Sequence, residues 1–171
     1  MSLIGATVVL FLSAIALNEL LFTRLEFAPG INWIYLPAGV RLLCTLLFAE
    51  AGAVGVLAAS WAICFGYFFP GDPLRSFAGG ILAALAPWLV YRLILASNRG
   101  DASLAGLSPV RLLVYALAFS VASPALHHAW FALQGQGGDL LHSFLVMAAG
   151  DLAGTLIVLY TAKAALALAR R

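Results

Sequence analysis

Arg41 and Asp151 each stand inside a long run of apolar residues. In such surroundings a lone charge is costly, so opposite charges are expected to pair. A buried Arg41–Asp151 pair either locks two helices together or contributes to ligand contact or proton coupling. A second polar group gathers at the ends of apolar runs: Asn18, Glu19, Asn32, Trp33, Tyr35, His127, His128, Asp139 and His142. Ser120, Ser123, His127 and Trp130 follow spacings of three, four and three, which is one face of a helix. His128 points about 100° away from His127. These types suit a hydrogen-bonding pocket, with Glu19, Trp33, Tyr35, Arg41, His127 and His142 as the expected ligand-binding residues. They do not have the spacing of a metal site, because there is no H-x-x-x-H and no C-x-x-C. No nucleophile–base motif, phosphate loop or cofactor box is present. The expectation is therefore a binding protein with no metal and no cofactor, and not an enzyme.

The elements that hold these residues must lie in lipid. Charged residues make up 9% of the 171-residue chain and hydrophobic ones 64%, where a soluble domain has about 25% charged. A net charge of +2 gives no reason to expect nucleic acid as a partner. The N-terminal stretch lacks the positive region and cleavage site of a signal peptide, and reads as a retained span. Cys44 and Cys64 sit in apolar runs and read as small buried hydrophobes.

A spanning helix takes about 20 apolar residues. Six runs qualify: Leu3–Phe22, Trp33–Ala49, Ala51–Phe69, Ser76–Ala96, Val110–Leu133 and Leu140–Ala162. Turn chemistry separates most of them, as in "FAPG", "PGDP", "SNRGDASLAGLSP" and "QGQGGD". The expected fold is one all-α polytopic domain over residues 1–171, a bundle of about six transmembrane helices. Arg92, Arg99, Arg111, Lys163, Arg170 and Arg171 fall on the face that carries the termini, against Arg24 and Arg75 on the other. That asymmetry places both termini in the cytoplasm. On this count Arg41 lies roughly 12 Å past Trp33, and Asp151 roughly 16 Å into the last run. Both are near the middle of a core about 30 Å thick. Gly150 and Gly154 form a G-x-x-x-G, a pattern that lets helices approach closely.

Pro37 is compatible with a helix start, where its missing N–H has no partner to lose. "LPAG" reads as a short re-entrant or unwound entry, with Gly39 admitting another backbone. Such backbone is tolerated at depth only against protein or a water-filled cavity.

Tyr35-Leu36-Pro37-Ala38-Gly39-Val40 resembles the aromatic-x-Pro-Ala-Gly-aliphatic motif of the bacterial membrane-associated sensor domains of the first type. Gly150-Asp151-x-x-Gly154-x-Leu156 is similar to the Gly-Asp-x-x-Gly-x-Leu motif of that family. The chain departs from the pattern in having Tyr35 for the usual tryptophan, Arg41 for a small apolar residue, and no proline soon after the late motif. The resemblance implies a multi-pass protein of the bacterial inner membrane, of the type found ahead of histidine kinases and diguanylate cyclases. The chain would then be a sensory or ligand-binding module with an outward-facing pocket. Its partners would be the bilayer, a small-molecule ligand and a separate signalling protein. The alternative is a small-solute transporter, or the substrate-binding subunit of a vitamin or metal uptake system with a separate energising protein.

Overall fold

The computed structural model describes residues 2–97, 108–135 and 138–169. Arg99, Arg170 and Arg171, and parts of the "SNRGDASLAGLSP" and "QGQGGD" breaks, lie outside them. Among the described residues, five helices are long and apolar enough to cross a membrane. They are α1 (Leu3–Phe22), α2 (Leu36–Ile63), α3 (Pro73–Ser97), α4 (Pro109–Leu133) and α5 (Leu140–Ala169). Capping fixes two of the starts. Ser2 Oγ accepts from Gly5 N, and Ser108 Oγ accepts from Arg111 N with Pro109 following. Only 28–44% of each candidate span is buried inside the bundle, so most of this apolar surface faces outward. The natural environment for such a surface is lipid, and this is a multi-pass membrane protein.

The second and third apolar runs form two helical segments of α2 that meet at a kink at Ala49, the later one continued by a π-helical turn over Cys64–Phe68. Ala49 has φ 52° and ψ −130°, the values of the first corner of a type II′ turn. A Cβ placed on Gly52 would stand 2.6 Å from the carbonyl carbon of Cys44. In a straight helix those positions are about 12 Å apart, so the chain doubles back at Ala49. Alanine in this region costs about 1–3 kcal/mol. The surrounding contacts support the reversal: Gly52 lies on Cys44 and Thr45, and Gly55 lies on Thr7 and the carbonyl of Ile4.

A short hairpin precedes α2. Strands β1 (Glu26–Ala28) and β2 (Ile31–Asn32) pair antiparallel. Pro29 and Gly30 make the turn, with Gly30 at φ 80° where a type II turn calls for glycine. Ile31 packs against Val146 and Met147 of α5. Irregular backbone then runs over Trp33–Tyr35, and "LPAG" is already helical from Leu36, with Pro37 in its first turn. The unwound entry expected at "LPAG" is thus displaced to the residues before it, because proline's fixed φ suits a first turn. The irregular stretch is satisfied by its neighbours. Tyr35 N donates to Gly150 O at 3.1 Å, and Leu36 N donates to Asn18 Oδ1 at 2.9 Å.

A candidate ligand cavity between the helices

The two motifs that carry the family resemblance pack on one another. A Cβ on Gly150 would run into the carbonyl of Asn32, and one on Gly154 into the carbonyl of Tyr35. A Cβ on Gly39 would stand 2.6 Å from Gly154 O and 2.9 Å from Thr155 Cα. Glycine is required at all three positions because backbone touches backbone there. This crossing sets the rotation of α5 against the first half of α2.

That rotation brings two charges together. Arg41 Nη2 stands 3.5 Å from Asp151 Oδ1, with the two side chains 3% and 1% exposed. The Arg41 guanidinium also lies 5.7 Å from the centre of the Tyr35 ring and 5.6 Å from that of Phe119. Its Nε is buried with no hydrogen-bond partner among the described residues, and the Ser123 hydroxyl stands near the Asp151 carboxylate. The remaining hydrogen-bonding capacity of the pair is open to another group.

Beside this pair lies a cavity of about 70 Å³. Every helix and the hairpin contribute to its wall. Tyr35 and Arg41 come from the start of α2, Ser60 from its returning half and Cys64 from the π-helical turn. Arg75 and Gly79 come from α3, His127 and Trp130 from α4, Met147 from α5, Phe11 from α1, and Gly30 from the hairpin. His127 Nδ1 is 2.9 Å from Ser123 O. A carbonyl only accepts, so Nδ1 carries the proton and Nε2 is left over. Ser60 Oγ, Trp130 Nε1 and Arg75 Nε are buried without partners among the described residues. The Arg75 guanidinium lies 4.1 Å from the centre of the Phe69 ring and 5.5 Å from that of Phe131.

The residues expected to bind ligand divide into two groups. Tyr35, Arg41 and His127 share the cavity. Glu19, Trp33 and His142 do not line it. Glu19 faces the Tyr67 hydroxyl at 3.5 Å. Trp33 is 47% exposed, and its ring centre is 6.5 Å from that of His142. His142 lies 3.9 Å from Asp139 and 4.9 Å, ring to ring, from Phe27. A common level along the bundle brought these residues into one expectation. Their positions around the helix axes separate them. His128 turns elsewhere, with Nε2 2.8 Å from Ser143 Oγ. Arg75 and Ser60 were missed. In the sequence Arg75 counts only among the charges of the face opposite the termini, although its place shortly after Phe68 and Phe69 is a visible signal. No protein-family model, curated protein or solved structure matches the chain.

Proposed function

We propose that this chain is a membrane-embedded sensory module that holds a small molecule in the cavity between its helices and signals through a separate protein. One observation carries the reading. The cavity wall presents four buried donor groups without partners: Arg41 Nε, Arg75 Nε, Ser60 Oγ and Trp130 Nε1. Buried donors are normally satisfied, and those left open mark where a ligand or water completes the set. The likeness to the bacterial sensor domains agrees with this, since its two motifs meet beside the cavity.

The test uses Gly79, whose Cβ position meets only Cys64 Sγ, at an ordinary 3.4 Å. Gly79→Leu places a branched side chain on the cavity wall from a position whose Cβ meets no backbone. Native mass spectrometry from mild detergent should find a small-molecule adduct on the wild-type chain and none on Gly79→Leu. Identical spectra from the two proteins would overturn the reading. A kinase or cyclase copurifying with the chain supports signalling, whereas a transport ATPase supports the uptake subunit.

The membrane arrangement proposed with this function has six crossings, with both termini in the cytoplasm. The reversal at Ala49 supports the count, and the excess of arginine and lysine on the terminal face supports the side. A reporter fused after Arg171 should be active only if it needs the cytoplasm. Activity of a periplasmic reporter at that position would sink the arrangement.

A further inference from the structure

We infer that the cavity takes a small organic anion with an apolar body, bound at its charged end by Arg75. This rests on the cavity being a ligand site and goes on to name the ligand's chemistry.

The charge balance comes first. Arg41 and Arg75 both line the cavity, and no carboxylate does. Arg41 is matched by Asp151 beneath it. Arg75 has no carboxylate within 4.0 Å among the described residues. The Asp72 carboxylate nearby accepts from Arg75 N at 2.9 Å and makes no ion pair with the guanidinium. The cavity wall thus holds a guanidinium with no ion pair among the described residues, in partly desolvated surroundings where an anion gains most.

The hydrogen-bonding inventory has the same sign. All four unpartnered buried groups of the wall have a hydrogen to donate, and Arg41 and Ser60 are each only 3% exposed. A ligand rich in acceptors satisfies all four, whereas an ammonium group would be accepted only by Ser60 Oγ and His127 Nε2 and would leave the three N–H groups as they are. Two aromatic faces that would otherwise attract a cation, those of Phe69 and Phe131, already hold Arg75. Those contacts also hold the guanidinium in place before a ligand arrives. The rest of the wall is apolar, with Phe11, Ile63, Leu82 and Met147 among its residues. An inorganic ion would leave this surface uncovered, while an alkyl or aryl carboxylate covers it.

An anionic group on an apolar body is available from two sources, a dissolved organic acid or a lipid, and the experiment separates them. The full chain is placed in nanodiscs of phosphatidylcholine. Benzoate, 3-phenylpropionate and decanoate are each compared with the matching alcohol and amine. Binding is read from the thermal midpoint and from tryptophan fluorescence. At least one acid should bind more tightly than its alcohol and amine. Arg75→Gln should weaken that acid by about 10- to 100-fold, the worth of a hydrogen bond to a charged group. It should leave the alcohol unchanged, and Arg75→Lys should recover part of the loss.

Adding phosphatidylglycerol identifies the source. Arg75-dependent competition with the acid indicates an anion from the bilayer, and undisturbed binding indicates one from solution. Alcohols that bind as well as acids, indifferent to Arg75→Gln but excluded by Gly79→Leu, would overturn the anion assignment and keep the cavity as a site. If no probe binds, and Gly79→Leu is indistinguishable from wild type in midpoint and mass spectrum, both readings fail.

Discussion

Gly154→Ala is expected to leave little folded protein in mild detergent, although it adds a single methyl group. That methyl would be driven into the carbonyl of Tyr35 and would lie 2.8 Å from Leu36 N. A flexible side chain can swing away from such an intrusion, but a backbone carbonyl can move only with its chain. Moving this chain breaks the bond from Tyr35 N to Gly150 O and the one from Leu36 N to Asn18 Oδ1. Stranding a buried backbone donor costs about 1–3 kcal/mol, and overpacking adds about as much again. The expected loss exceeds about 3 kcal/mol, a large share of the 5–15 kcal/mol that a typical domain has. Gly150→Ala should behave alike, because its methyl meets the carbonyl of Asn32. Gly71→Ala is the control, since nothing lies within 4 Å of its Cβ position. Thermal unfolding of the three variants decides the matter. If Gly154→Ala unfolds with Gly71→Ala and the wild type, the close backbone crossing is wrong.

The second large effect concerns the buried charges. Arg41→Leu alone and Asp151→Leu alone should each destabilise the protein by about 3–5 kcal/mol, since each leaves the other charge buried without its partner. The double replacement should recover much of the loss, because two leucines at that depth need no partner. The 3.5 Å separation and the unpartnered Arg41 Nε describe a pair that is held but not saturated. Its removal as a unit is therefore tolerable. Thermal midpoints of the four proteins form a double-mutant cycle. Losses that simply add would show that the two side chains are not coupled. A double variant that folds but no longer binds its ligand would place Arg41 in the binding chemistry as well as in the scaffold.

The contrast between these glycines and charges and the rest of the chain separates what is local from what is tertiary. Apolar run length and the Pro/Gly breaks predict helices, because an all-apolar helix in lipid needs no partner to satisfy its backbone. The positions of α1, α3, α4 and α5 follow from that. Counting residues at 1.5 Å each places Arg41 and Asp151 at a common depth. It cannot say that they face one another. Their contact depends on the rotation of α2 and α5, which is fixed where the Asn32–Leu36 backbone crosses Gly150 and Gly154. Depth likewise groups Glu19, Trp33, His127 and His142, and only the packing assigns His127 to the cavity and His142 to the exposed side. Arg75 shows the reverse failure. Its sequence position counts it among the charges of the face opposite the termini, yet the ring of Phe69 beside it and that of Phe131 from α4 draw it into the cavity wall. The reversal at Ala49 has no turn signature in the sequence, because its backbone angles belong to glycine and the residue is alanine. Periodicity and length measure position along a helix axis. Azimuth, and with it every shared site between helices, is decided by which surfaces can approach most closely.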